Sequence, residues 1–131
     1  MKRYIWTLTA LAAWALPLHA EPKETKARSF SDKEVKALIP RGKAVFDENC
    51  VACHGVKGDG KGPAATALGK QAKPRNFTSE TYRFGEAPPE VFATITDGSP
   101  GTAMPPWKSL PEEDRWALAY YVLSLKTKPT H

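Results

Sequence analysis

Both cysteines of this 131-residue chain lie in one five-residue stretch, Cys50-Val51-Ala52-Cys53-His54. No other cysteine is left to tie that stretch to a distant segment, so a disulfide-stapled scaffold is excluded. The spacing C-x-x-C-H is the attachment sequence for a c-type haem. Two thiols three residues apart can form thioethers to vinyl groups on neighbouring pyrroles. The histidine that follows is then held beneath the iron and binds it through a ring nitrogen. Three other readings compete. A disulfide between Cys50 and Cys53 stays open for an exported chain. A thioredoxin-like redox pair needs a βαβ setting, which the sequence does not offer. A zinc site needs two further ligands, and outside the motif only His131 offers a His or Cys within residues 21–131.

The N-terminus fits export. Met1-Lys2-Arg3 is a short basic start, Ile5 to Leu16 carries no charge, and Pro17-Leu18-His19-Ala20 ends in a small residue. These are the three regions of a secretory signal peptide. The apolar run is shorter than the roughly 20 residues of a membrane span. Residues 1–20 are therefore expected to be a signal cleaved after Ala20, with an uncleaved anchor as the alternative. Cleavage removes Lys2 and Arg3 and lowers the formal charge from +5 to +3. Residues 21–30 are charged, lack apolar periodicity and read as a flexible leader. One domain is expected over 31–126, with a tail at 127–131.

Within that domain everything that can be placed is helix or loop, so the fold class is all-α. Ser31 and Glu34 stand at capping-box spacing, and Val35, Leu38 and Ile39 share one face. Pro40 is expected to end a short turn or to open the next helix, which covers 41–50. His54 to Lys61 holds three glycines in eight residues and must be loop. Pro63 to Gly69 suits one or two helical turns, and 71–88 reads as irregular. Glu90 to Thr96 suits a short helix closed by Asp97-Gly98. Ser99 to Ser109 contains Pro100, Pro105 and Pro106 and cannot be regular helix. The clearest helix opens on Glu112, Glu113 and Asp114, where the dipole favours acids. Its apolar stripe is Leu118, Tyr121, Val122 and Leu125, broadened by Trp116 and Tyr120.

An iron held by His54 needs a sixth ligand, and few residues qualify. Met104 is the one methionine of residues 21–131. A lone Met is ordinarily a core gap-filler, but this one sits in Gly101-Thr102-Ala103-Met104-Pro105-Pro106-Trp107, where prolines stiffen the loop. Met104 is the expected axial ligand. His131 reads as a chain end, and a lysine ligand would need a switch that the sequence does not display.

With CVACH, GDGKGPAATAL, DGSPGTAMPPW and WALAYYVLSL in this order, the chain resembles the class I cytochromes c over about Ile39 to Leu125. The likeness is to small bacterial domains, including those of haem-copper oxidase subunits. It implies a helical shell around one haem c, held covalently by Cys50 and Cys53. It implies crossed first and last helices, with Gly42 and Phe46 meeting the last helix near Tyr121. It implies that the Pro63 carbonyl accepts a hydrogen bond from the second nitrogen of His54. Leu68, Phe77 and Trp107 are candidate haem-pocket walls. Tyr82, Arg83 and Arg75 are candidate propionate contacts.

The function implied is one-electron transfer in the periplasm, without an enzymatic activity of its own. Partners would be redox proteins that dock transiently on a monomer. Lys57, Lys61, Lys70, Lys73 and Lys108 flank the motifs and could steer an acidic partner, or form a plain solvated surface. Basic residues interspersed with acids give no footprint for nucleic acid. Membrane contact is expected only through a partner complex or an uncleaved signal. Two alternatives stand beside the soluble carrier. One is a dedicated electron-transfer subunit of a membrane oxidase or dehydrogenase. The other is a gas- or peroxide-binding haem protein with a labile Met104.

Overall fold

A computed structural model describes residues 28–69 and 72–126. The expected signal (1–20), Lys70, the tail (127–131) and most of the leader lie outside the described residues. The elements are α1 (Asp32–Asn49), α2 (Val51–His54), a 3-10 turn (Ala65–Leu68), α3 (Pro88–Asp97) and α4 (Glu112–Ser124). No strand occurs among the described residues, and the fold is all-α. No helix of the described residues is long and apolar enough to cross a membrane.

Helix α1 starts where capping chemistry puts it. The Glu34 amide donates to Ser31 Oγ at 3.4 Å, and the Ser31 amide donates back to Glu34 Oε2 at 2.8 Å. The helix then runs unbroken through Pro40, against the expected interruption. Proline cannot donate to the carbonyl of Lys36 and crowds it. Both residues are exposed, so that carbonyl is left on the watery side of the helix. The opposite side carries Gly42 and Phe46, both buried, and their packing keeps the helix whole.

Helix α4 is the element on which the others rest. Its Trp116, Ala117, Leu118, Ala119, Tyr121 and Val122 are all buried, a span that one apolar stripe would not cover. The reason is that α4 is covered from several directions: α1 and α3 both pack against it. Phe46 meets Tyr121 with ring centroids 5.3 Å apart. Phe92 of α3 stacks on Trp116 at 4.1 Å. Phe30 closes a further side, 5.4 Å from both Trp116 and Tyr120. Arg28 pairs with Glu113 at 3.1 Å, so residues 28–30 of the expected leader are fastened to α4. Arg41 and Asp114 join α1 to α4 at 2.5 Å.

Helix α3 begins with Pro88-Pro89 in its first turn and ends at Gly98. Prolines belong at that end, where the first amides have no intrahelical partner. Its Val91 and Ile95 are buried four residues apart and join Phe46, Leu118 and Val122 in the core.

Candidate functional site

The Cys-x-x-Cys-His stretch sits at a junction between two helices. Cys50 ends α1, with its amide bonded to the Phe46 carbonyl at 2.8 Å. The next four residues make the single turn α2, whose His54 amide bonds back to Cys50. The glycine-rich segment after it folds back to satisfy the turn's free carbonyls. Gly60, Gly62 and Ala64 donate to His54, Cys53 and Ala52 at 2.8, 3.1 and 2.8 Å. A four-residue helix with no core of its own is thus held in place by its own following loop.

This turn forms one wall of a cavity of about 230 Å³. Seven of the eight residues expected to bind the cofactor line it: Cys50, Cys53, His54, Leu68, Phe77, Met104 and Trp107. Pro63 does not. Its carbonyl accepts from the Thr66 hydroxyl at 3.3 Å. The partner of His54 is instead the carbonyl of Arg75, 3.3 Å from Nδ1. That corrects the assignment to Pro63. A backbone carbonyl reaches the His54 ring only at Arg75, after Pro74, and not at Pro63, the proline that the resemblance matches.

The Arg75 contact fixes the chemistry of the imidazole. A carbonyl only accepts, so Nδ1 carries the proton and Nε2 keeps its lone pair. His54 is buried, and burial holds its pKa below the usual 6.5, with the bond to Arg75 acting against that shift. The ring stacks on Phe77 at 4.4 Å. Hydrogen bond and stacking together set the orientation of the ring. Burial, with Cys53 nearby, pushes the Cys50 thiol up to about 11. No disulfide joins Cys50 to Cys53. No group of three His, Cys, Asp or Glu side chains suited to a metal occurs among the described residues.

The remaining wall combines α3, α4 and two loops. Val91, Ile95, Leu118 and Val122 supply apolar surface, and the loop through Met104 supplies the thioether. Sequence reading placed α3 but did not assign Val91 and Ile95 to the cavity; their i, i+4 spacing was the available signal. The cations Lys73, Arg75 and Arg83 also line it, with Tyr82. Arg75 bonds Glu80 at 3.1 Å. Tyr82 donates to the Val122 carbonyl at 3.0 Å, which ties the 77–87 loop to α4. Lys126 pairs with Glu86 in the same region. Lys57, Lys61 and Lys73 are exposed, while Lys108 pairs with Asp97 at 2.9 Å.

An apolar cavity edged by a Cys-x-x-Cys-His turn and a methionine loop is what a covalently held haem requires. A comparison with family models decides the matter, since the cytochrome c model matches residues 39–126. The chain belongs to the cytochrome c family. Members bind haem c covalently and transfer electrons, and Cys50 and Cys53 are this cytochrome's attachment cysteines. It is 34% identical over 90 residues to the cbb3-type cytochrome c oxidase subunit CcoP of Azospirillum brasilense, covering 68% of this chain and 29% of that one. It is 37% identical over 76 residues to cytochrome c55X of Stutzerimonas stutzeri, covering 57% and 54%. This cytochrome therefore spans between three tenths and about half of the length of these relatives. A chain of the Kuenenia stuttgartiensis reducing HAO-like protein complex superposes with a TM-score of 0.65 at 36% identity, covering 70% of this chain and 45% of that one.

Proposed function

We propose that this cytochrome c passes single electrons between redox proteins in the periplasm, with His54 and Met104 as the two axial ligands of one haem iron. The observation that carries this reading is that a buried imidazole with its lone pair on Nε2 and a loop-held thioether line the same apolar cavity. When bound, the haem supplies a one-electron couple, and a Met/His pair raises its potential. The chain's own residues do the rest. His54 is held by Arg75 and Phe77, so its position need not change with oxidation state. The apolar wall excludes water. Arg75, Arg83 and Lys73 offer partners for the propionates at the cavity edge, whereas the Tyr82 hydroxyl is taken by the Val122 carbonyl. His54 and Met104 would together hold the iron and leave it no open coordination site, so the protein would act as a carrier and not as an enzyme. Exposed Lys57, Lys61 and Lys73 favour an acidic partner, docked transiently on a monomer.

A second reading is favoured by the relatives. One is named as an oxidase subunit and another belongs to a multi-protein complex. A dedicated subunit would stay with its enzyme through purification, whereas a carrier would separate from it.

The testing experiment is an optical spectrum of the protein matured with haem, oxidised, reduced, and then exposed to carbon monoxide. Sharp low-spin bands, a weak far-red sulfur-to-iron band when oxidised and no response to carbon monoxide are expected. A high-spin spectrum or rapid carbon monoxide binding would overturn the carrier reading in favour of a labile Met104.

A further inference from the structure

The loop that carries Met104 is closed upon itself. Its ends are fixed by α3: the Trp107 amide donates to the Ile95 carbonyl at 3.0 Å, and Gly98 turns the chain with φ 76°. A Cβ on Gly98 would stand 2.8 Å from the Met104 carbonyl oxygen, so only glycine permits this approach. The Met104 carbonyl accepts from the Ser99 amide at 3.2 Å. The Met104 amide donates to Thr102 Oγ1 at 3.2 Å. The Thr102 hydroxyl in turn donates to the Ser99 carbonyl at 2.7 Å, where the Thr102 amide also bonds at 3.1 Å. Pro105 follows directly and restricts Met104 to extended backbone.

The two bonds to the Met104 backbone differ in kind. The Ser99 amide would be supplied by any residue except proline. The partner of the Met104 amide is a side-chain oxygen, and it exists because residue 102 bears a hydroxyl. Thr102 itself lines the cavity beside Met104. We propose that Thr102 is a positioning residue for Met104: its hydroxyl bridges the Met104 amide to the Ser99 carbonyl and so limits how far the thioether can withdraw from the cavity. This rests on Met104 being an axial ligand. The hydroxyl touches neither haem nor iron and acts only through the backbone it holds. Partners of this kind orient ligands, and their loss typically costs about 10- to 100-fold in the ligand's hold.

The test uses the haem-loaded protein, its Thr102→Val and Thr102→Ser variants, and Met104→Ala as a control. Valine keeps the shape and loses the hydroxyl; serine keeps the hydroxyl and loses the methyl. Two quantities are read: the affinity of the ferric protein for added imidazole, which must displace the sixth ligand, and hydrogen exchange of the Met104 amide in the ferrous protein. Thr102→Val is expected to bind imidazole about 10-fold tighter or more and to exchange that amide faster, with serine within about 2-fold of the parent. A valine variant matching the parent in both readouts overturns the proposal. Should valine not mature, a parent Met104 amide that exchanges like an exposed one overturns it equally. The control separates the two readings: a Met104→Ala protein that retains the far-red band refutes the axial assignment, whatever the amide of residue 104 does in the parent.

Discussion

The backbone of Gly42 lies directly against that of Ala117: a Cβ built on Gly42 would stand 2.1 Å from the Ala117 carbonyl oxygen and 2.7 Å from the Cβ of Tyr121. The obstruction is a helix backbone and not the end of a mobile side chain, so it yields only if α1 and α4 separate. Gly42→Ala is expected to retain haem but to lose stability. Overpacking of this sort costs about 1–3 kcal/mol, and more where the backbone itself is in the way. Denaturant unfolding of the oxidised holoprotein measures it; a midpoint equal to the parent's would show that the close approach is not required.

His54→Ala is expected to abolish stable holoprotein. The variant removes the imidazole that Arg75 and Phe77 hold at the cavity wall. Haem content per polypeptide and the optical spectrum are the readouts. Parent values for both would refute the role given to His54.

Met104→Ala should leave the haem attached through Cys50 and Cys53 but high-spin or water-ligated, with a lower potential, because the thioether favours the ferrous ion. Redox titration alongside the ferric spectrum checks this. If spectrum and potential stay at parent values, a different residue is the ligand.

Tyr82 makes the alkaline side of the stability curve informative. Burial pushes its phenol from 10.0 up to about 12. Below pH 10 folded and unfolded chains both hold the proton, and the contribution to stability is complete. Between 10 and about 12 only the folded chain holds it, so stability falls as pH rises. Tyr82→Phe should therefore show a shallower loss across that window. At neutral pH it should cost about 0.5–1.5 kcal/mol for the bond to the Val122 carbonyl. Unfolding free energies at a series of pH values up to 11 provide the comparison. An undiminished slope would mean that the phenol is not the group responsible.

Much of this could be read from the chain alone, for local reasons. Glu112, Glu113 and Asp114 announce α4, and the Ser31–Glu34 pair announces α1, because caps and dipoles act within a turn or two. The pocket's chemistry was legible because CVACH places two thiols and an imidazole in one helical turn. What failed was decided at longer range. Pro40 did not break α1 because packing against α4 outweighs the local cost at an exposed position. The partner of His54 was assigned to Pro63, nine residues on, when the structure uses Arg75, twenty-one residues on; which carbonyl returns to a ring depends on the path of the intervening loop. Phe30 read as part of a flexible leader, since nothing in its charged surroundings signals the Trp116 and Tyr120 rings that receive it.

The pairing of α1 with α4 also bears on how the molecule assembles. The two helices belong to opposite ends of the domain, so their contact closes a long loop whose entropy opposes their docking. His54 and Met104, the proposed iron ligands, both lie inside that loop. Leu118 and Val122 of α4 line the cavity and Tyr121 meets Phe46, so the wall is complete only when residues 112–124 dock. The domain thus closes as a clasp does: the helices at its two ends meet as the buckle, and the residues that line the cavity are carried on the strap between them.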